Sequence, residues 1–214
     1  MQTKKEQTKE QIVDIATRIF QKKGFMKTSM RDIAKGAGTG VSNIYNYFKN
    51  KDELFRYIVM PLITDMEKMM YDHHNLKSHE EFLKYASGES NEMVTEHVQA
   101  YVKLINNHRN EFELLLYKSQ GSSLETFIDE YTEECTQQVL LFMKHFKSKH
   151  AEYSATCSTF TYHIHIVWMF NFISEVIKHG LTHEEIKDAI EDYILFEFIG
   201  WKALINKKIK TNEN

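Results

Sequence analysis

The chain has 214 residues, 42% of them hydrophobic and 27% charged, which is the balance of a soluble globular protein with one or two small domains. No apolar run approaches the roughly 20 residues that a transmembrane helix needs, and the polar N-terminus lacks the apolar segment of a secretory signal, so no membrane partner is expected. Two cysteines, Cys135 and Cys157, are too few for a disulfide framework, which favours reduced thiols and a cytoplasmic location.

Charge is divided unevenly along the chain. Residues 1–57 hold 12 Lys and Arg against 6 Asp and Glu, whereas the remainder is net acidic and brings the total to −3. A basic N-terminal part on an acidic body favours binding to a polyanion such as nucleic acid.

The first predicted element is a helix from about Lys9 to Lys23, where apolar residues recur at helical spacing before Gly24 ends the pattern. The polar residues before it, Met1 to Lys9, are expected to form a frayed arm. This arm is either plainly disordered or reaches a phosphate through its lysines, and the sequence leaves both interpretations open.

The stretch from Thr28 to Leu54 predicts a helix, a tight turn and a second helix. Ser29 with Asp32 three residues later has the spacing of a capping box, and glycines cluster where the chain must turn. The second helix, Val41 to Phe48, is too short to be stable alone, so it must dock on a neighbour, and Ile44 and Phe48 lie on one face for this purpose. Thr39 is its expected N-cap.

The other residues of this short helix carry hydroxyls, amides and aromatic edges without net charge. Such a surface suits the recognition of base edges and phosphates in DNA. Arg31, Lys49 and Lys51 flank it with positive charge, and Lys51 at the start of the next helix is expected to hold a phosphate.

The segment resembles the helix-turn-helix of the TetR (tetracycline-repressor-like) family of bacterial transcription regulators. The resemblance implies a DNA-binding domain over residues 1–50, with three helices, and it departs from the usual pattern at Thr39-Gly40-Val41. The features that carry it are Thr28, Asp32-Ile33-Ala34, Ala37-Gly38, Tyr45-Asn46-Tyr47-Phe48 and Lys51-Asp52-Glu53-Leu54. The candidate DNA-binding residues are Thr28, Ser29, Arg31, Thr39, Gly40, Val41, Ser42, Asn43, Tyr45, Asn46, Tyr47 and Lys51.

A long helix from Lys51 to about Asp72 is expected to join this head to the rest of the chain. It contains the only proline, Pro61, which removes a backbone hydrogen bond inside a helix. Two interpretations remain open. Either Pro61 marks a hinge, or one helix ends near Met60 and Pro61 begins the next.

Helical patterns continue to the C-terminus, so the predicted fold class is all-α. They cover His79–Ala86, Glu89–Asn107, a short helix capped by Asn110, a long helix capped by Ser123, and two apolar helices that end the chain. The last of these has a capping box formed by Thr182 and Glu185.

The resemblance implies that residues 51–214 form a helical domain that binds an effector and dimerises. The last two helices would pair with their copies in a homodimer that binds a palindromic operator. Candidate interface residues are Phe160, Ile164, Val167, Phe170, Asn171, Ser174, Ile190, Tyr193, Ile194 and Gly200.

An interior rich in aromatic residues and methionine would hold a hydrophobic or amphipathic small molecule, although the same residues also suit a plain core. The candidate effector-binding residues are Tyr101, Phe112, Leu115, Tyr131, Cys135, Phe142, His163 and Met169.

No catalytic motif, cofactor motif or metal-ligand spacing is found, so no enzyme is expected. His163 and His165 point apart on a helix, and the cluster around Asp72, His73, His74 and His79 is read as surface histidines. The predicted function is a ligand-responsive DNA-binding regulator, most simply a repressor. The alternatives are a dimeric DNA-binding accessory protein without an effector, and a helical carrier or enzyme.

Overall fold

The computed structural model describes residues 4–73, 76–153 and 157–206, and gives side chains for these except at positions 76–78. This part of the chain is all-α, as predicted, with ten helices and no strand. The helices are α1 (Lys4–Lys23), α2 (Met30–Gly36), α3 (Val41–Tyr45), α4 (Lys51–His73), α5 (Leu76–Ser87), α6 (Glu92–Asn107), α7 (Arg109–Tyr117), α8 (Phe127–Lys149), α9 (Thr159–Lys178) and α10 (His183–Ile205).

The helices divide into two compact units. The N-terminal unit comprises the described residues up to Asp65 together with His108–Asp129, and the C-terminal unit comprises Met66–Asn107 and the described residues from Glu130 onward. Helices α4 and α8 therefore contribute residues to both units. None of the helices in the described part of the chain is both long and apolar enough to cross a membrane.

Three phenylalanine rings lie at the centre of the N-terminal unit. The rings of Phe20 and Phe25 each meet the ring of Phe55 edge to face, at centroid distances of 5.1 and 5.3 Å. Helix α7 adds the buried Phe112 and Leu115 to this unit, and the backbone N–H of Phe25 donates to the carbonyl of Lys118 at 2.8 Å. The helix-turn-helix is thus packed on a segment that is distant in sequence.

Helix α4 runs without interruption through Pro61. The interpretation that one helix ends near Met60 is therefore wrong, and the proline is held inside a helix whose apolar residues Val59, Leu62 and Ile63 are buried. The cost of the missing hydrogen bond is offset by this burial. The hinge remains a prediction.

Three expected helix starts are also corrected. Helix α1 begins at Lys4, so part of the predicted arm is helical, while residues 1–3 lie outside the described residues, as does His74. Helix α7 has His108 as its N-cap and includes Asn110 in its first turn. Ser123 does not cap α8, because its backbone N–H and its hydroxyl both donate to the carboxylate of Asp52 at 2.7 Å.

In the C-terminal unit α10 packs along α6, and an aromatic cluster fills the space beside them. In this cluster the ring of Phe82 meets two others edge to face, that of Phe142 at 5.6 Å and that of Phe146 at 4.9 Å. The capping box of Thr182 and Glu185 at the start of α10 is present as predicted.

Candidate nucleic-acid interface and interior cavity

A capping box fixes the start of α2. The Ser29 hydroxyl accepts from the Asp32 backbone N–H at 3.1 Å, and the Asp32 carboxylate accepts from the Ser29 backbone N–H at 3.0 Å. The Ser29 hydroxyl also donates to the Asp32 carboxylate at 2.8 Å. This bond, then the bond from the Ser29 backbone N–H, then the contact with Lys23 at 3.2 Å, lower the pKa of Asp32. The predicted box is confirmed, and it presents Ser29 and Arg31 on the exposed side of the helix.

The turn between α2 and α3 depends on glycines for two different reasons. Gly38 has a φ of +62°, a left-handed conformation that L side chains rarely adopt. Gly36 is helical, but a Cβ added there would lie only 2.7 Å from Cγ2 of Ile15 on α1. Close approach of α1 and α2 therefore requires the absence of a side chain at residue 36.

Helix α3 has Gly40 as its N-cap and no side-chain capping bond. The prediction that Thr39 caps this helix is wrong, because the Thr39 hydroxyl accepts from the Asn43 side-chain amide at 2.8 Å instead. The side-chain amide of Asn46 in turn donates to the side-chain oxygen of Asn43 at a longer distance, 3.5 Å.

The two faces of the α3 region differ in the way the sequence predicts. Ile44 and Phe48 are buried, whereas the Tyr45 side chain is 51% exposed. Of the other predicted DNA-binding residues, Ser29, Arg31, Gly40, Ser42 and Asn46 are exposed, while Thr39, Val41, Asn43, Tyr47 and Lys51 are partly buried. The exposed face contains no acidic side chain among Gly40–Tyr47, so it can approach a polyanion without like-charge repulsion.

Two predicted DNA contacts have internal partners. Thr28 is only 3% exposed, and its hydroxyl donates to the Gly24 carbonyl at 2.7 Å. The Lys51 ammonium donates to the carbonyls of Phe25 and Thr28 at 2.7 and 2.8 Å, and its partial burial lowers the pKa of this group. An ammonium has three N–H donors, so one is left for a phosphate.

Lys9 on α1 also contacts an aromatic ring. Its ammonium lies 3.9 Å from the centroid of the Tyr57 ring and 5.6 Å from that of Phe48. This cation–π contact ties α1 to the segment around α3.

The C-terminal unit encloses a cavity of about 210 Å³. Five of the eight predicted effector-binding residues line it: Tyr101, Tyr131, Cys135, Phe142 and Met169. Phe112 and Leu115 do not, because α7 packs in the N-terminal unit, and His163 does not, because its neighbour at i+2, His165, takes the inward position. Burial raises the pKa of Tyr101, Tyr131 and Cys135, so all three stay protonated at neutral pH.

One end of this cavity is polar, which was not predicted from the sequence. The Glu197 carboxylate lies 2.5 Å from Nδ1 of His165, and Nε1 of Trp201 donates to Nε2 of the same imidazole at 3.0 Å. Burial raises the pKa of Glu197 to about 7 and lowers that of His165 to about 4. A signal was present, since Glu197 continues the buried stripe of Ile190 and Ile194 at a spacing of three residues.

The last two helices carry exposed apolar side chains on their outer faces. Helix α9 exposes Phe160 and Trp168, and helix α10 exposes Leu195, Phe196 and Ile199. Of the predicted interface residues, Asn171 and Gly200 are exposed, Ile164, Val167, Ser174 and Tyr193 are partly buried, and Phe170, Ile190 and Ile194 are buried within the chain. The last three pack inward and are not available at the outer surface.

The helix-turn-helix region is similar in sequence to known DNA-binding regulators. The family model of the bacterial regulatory proteins of the tetR family matches residues 12–58. The "Probable HTH-type transcriptional regulator YttP" of Bacillus subtilis is 44% identical over 63 residues, which are 29% of this chain and 30% of that protein. The HTH-type transcriptional regulator AcrR of Shigella flexneri is 42% identical over 53 residues, 25% of each chain.

The agreement extends to the whole fold. SCO3833, a solved member of the TetR transcriptional regulator family from Streptomyces coelicolor A3, aligns with a TM-score of 0.59 over 86% of this chain and 88% of its own, at 19% identity. Residues 12–58 therefore match the tetR family in sequence, and the fold resembles that of a solved TetR-family regulator. The TetR sequence match runs from α1 into α4 and includes all of α2 and α3.

Residues after position 58 lie outside the family match. The chain spans about 30% or less of the length of the two curated relatives named above. The cavity and the outer faces of α9 and α10 lie beyond the residues that the family model matches. What these regions bind must be argued from their own residues.

Proposed function

We propose that this protein is a TetR-family transcriptional regulator that binds a palindromic operator as a homodimer, and that a small amphipathic effector in the cavity weakens this binding. Repression is the simplest form of this activity. The observation that carries the proposal is the outward face of α3, an uncharged polar surface on a basic N-terminal segment.

The contacts of α3 suit the major groove of DNA. The amides of Asn43 and Asn46 can donate and accept, as recognition of base edges requires, and Tyr45 offers a hydroxyl and an apolar ring. The basic side chains around them, Arg31, Lys49 and Lys51, would supply phosphate contacts and a dependence of affinity on salt.

The outer faces of α9 and α10 support a homodimer. Large apolar side chains are exposed on both helices of the single chain, and exposed apolar surface commonly marks a protein interface. These side chains are Phe160, Trp168, Phe196 and Ile199. A two-fold symmetric dimer would present two copies of α3 to half-sites one helical turn apart, about 34–36 Å. The proposed interface keeps the two predicted helices and Phe160. Trp168, Phe196 and Ile199 take the place of the buried Phe170, Ile190 and Ile194.

The cavity supports an effector. Helix α4 begins with Lys51 in the N-terminal unit, and its last turns supply Met69, Met70 and His73 to the cavity wall. A ligand that prefers one arrangement of α4 would change the population of the DNA-binding state, and a coupling of about 1–3 kcal/mol changes DNA affinity roughly 5- to 150-fold.

Selection of bound sequences from a random duplex pool, with the purified full chain, tests the DNA part of this proposal. An enriched inverted repeat, bound with at least about a thousandfold preference over bulk competitor, is expected of a specific regulator. Failure to enrich any inverted repeat would contradict it and favour the carrier or enzyme. An accessory protein without an effector would bind the repeat but show no thermal stabilisation across a small-molecule screen.

A further inference from the structure

Glu197 is the only carboxylate that lines the cavity among the described residues. Its side chain is 8% exposed, and its carboxylate faces an interior otherwise formed mostly by aromatic and aliphatic side chains. A buried carboxylate is costly unless a cation or several donors compensate it. The group that compensates the charge of Glu197 therefore decides whether the cavity favours a cationic ligand.

The hydrogen bonds of His165 show that this imidazole is not that cation. Because the Trp201 indole N–H can only donate, Nε2 of His165 must accept and carries no proton. The proton of the neutral ring then lies on Nδ1 and is donated to Glu197 at 2.5 Å. His165 supplies one hydrogen bond to the carboxylate and no positive charge.

The remaining lining residues supply no permanent cation. No Lys or Arg lines the cavity in the part of the chain that the structure describes, and the ammonium of Lys202 is directed over the Tyr85 ring at 5.1 Å. The other titratable groups of the wall are His73 on α4, His97 and Tyr101 on α6, Tyr131 and Cys135 on α8, Tyr162 on α9 and Tyr193 on α10.

The two other histidines are paired with each other. Their rings stack at 4.0 Å, and Nδ1 of His97 donates to the Met93 carbonyl at 2.8 Å. The His97 ring also meets the Phe198 ring edge to face at 5.0 Å. A positive charge on the bound ligand is therefore the natural complement of Glu197.

Aromatic rings near Glu197 suit the same kind of ligand. The rings of Tyr162 and Trp201 stack at 5.4 Å, and the Trp201 indole meets the His165 ring edge to face at 4.7 Å. Aromatic faces attract cations and pack against flat apolar groups. The volume of about 210 Å³ somewhat exceeds a cavity of about 150 Å³ that accepts benzene, so one substituted ring fits.

We propose that the cavity selects a small aromatic or apolar amine that carries one positive charge, with the Glu197 carboxylate as its counter-ion. This inference rests on the proposed effector function and names the class of effector. The amine places its ammonium beside the Glu197 carboxylate and its ring among the aromatic side chains.

A matched series of ligands tests this inference without DNA. Isothermal titration calorimetry of the full chain, in an amine-free buffer at pH 8, compares 2-phenylethylamine, 2-phenylethanol and phenylacetate, which differ mainly in the charge of one terminal group. We expect the amine to bind at least about tenfold more tightly than the alcohol, and the carboxylate more weakly than both.

Two variants locate the origin of the preference. Glu197→Gln keeps the size of the side chain and an oxygen that accepts from His165, and it should remove the preference of amine over alcohol. Glu191→Gln, at a half-exposed position on the same helix, should leave that preference unchanged. Each variant is first checked for an unchanged helical spectrum and thermal transition.

Several results would overturn the inference: no binding of the amine, equal binding of all three ligands, preference for the carboxylate, or an amine preference that survives Glu197→Gln. Operator binding by the same preparation is measured separately by gel shift. If the chain binds its operator but gives any of these ligand results, only the proposed class of effector is rejected. If the chain does not bind an operator, the proposed regulatory function is contradicted.

Discussion

The ammonium of Lys51 lies 4.0 Å above the ring of Phe25 while it donates to the Phe25 backbone carbonyl at 2.7 Å. The first residue of α4 is thereby fixed to the loop that precedes α2. A residue that sequence alone assigns to a phosphate thus also holds the helix-turn-helix together. Affinity and stability must be measured side by side to separate these two roles.

Lys51→Met keeps the apolar stem of the side chain and removes its charge. We expect it to lower the free energy of unfolding by about 1–3 kcal/mol, because two carbonyls lose a charged donor. If the remaining N–H also contacts a phosphate, the salt dependence of operator binding becomes shallower by about one unit. Lys49→Ala, at an exposed neighbour, should change only the salt dependence. Unchanged stability in chemical denaturation of Lys51→Met would contradict the structural role.

Asn46→Ala tests base recognition by α3. The side chain is exposed and makes only one long contact at 3.5 Å, so stability should change by less than about 0.5 kcal/mol. Binding to the selected operator should weaken by about 1–3 kcal/mol, with relaxed preference at particular base pairs. Tyr47→Phe removes a hydroxyl that we expect to contact a phosphate, so it should instead weaken binding to all duplexes alike. A competition assay against single-base operator variants distinguishes the two patterns, and a uniform loss in Asn46→Ala would argue against base contact.

Gly36→Ala tests the close approach of α1 and α2. The new methyl group would lie 2.7 Å from Cγ2 of Ile15 and 3.2 Å from Cδ1 of Ile19, so the Ile15 side chain or one of the helices must shift. Despite the better helix propensity of alanine, we expect a loss of about 1–3 kcal/mol in stability, measured by urea denaturation. Lys35→Ala, at the exposed preceding position, serves as control and should stay within about 0.5 kcal/mol of the parent. Stabilisation by Gly36→Ala would show that the helices do not meet this closely.

Phe196→Asp tests the proposed homodimer. Phe196 is 71% exposed on α10, so in a single chain the change should cost little stability. In a dimer it buries a charge in an apolar interface, and sedimentation velocity should show dissociation to monomers at micromolar concentration. Leu141→Asp on α8, where the leucine is 61% exposed, is the matched control and should leave the oligomeric state unchanged. A monomeric parent chain, or a Phe196→Asp variant that sediments as the parent does, would contradict the interface.

The pH dependence of stability tests the burial of Glu197. Because burial raises its pKa from the ordinary 4.5 to about 7, the folded chain binds more protons than the unfolded chain between these values, and stability falls as pH rises through them. The pKa of His165 is lowered from 6.5 to about 4, so the unfolded chain binds more protons than the folded chain between these values. The contribution of His165 to stability therefore rises with pH in this range.

Glu197→Gln removes only the contribution of the carboxylate. The stability of the variant relative to the parent should therefore increase as pH rises from 4.5 to 7, by up to roughly 3 kcal/mol. Thermal or urea denaturation across this range measures the difference, and Glu191→Gln should run parallel to the parent. A Glu197→Gln curve parallel to the parent would mean that Glu197 titrates like an exposed carboxylate.

Features that depend only on nearby residues could be predicted from the amino-acid sequence. The all-α class, the capping boxes at Ser29 and Thr182, and the inward positions of Ile44 and Phe48 were predictable. Helical period and capping chemistry operate over three or four residues, so they can be recognised without knowing what each helix packs against.

Only the tertiary structure decided which partner each side chain meets. Phe112 has the same apolar character as Phe142, yet α7 packs in one unit and α8 brings Phe142 to the cavity of the other. Lys51 likewise takes its role from the Thr28 carbonyl, 23 residues away, and Glu197 takes its role from the His165 imidazole, 32 residues away. Burial and hydrogen bonding between distant segments set these roles, because periodicity gives the face of a helix but not the neighbour that covers it.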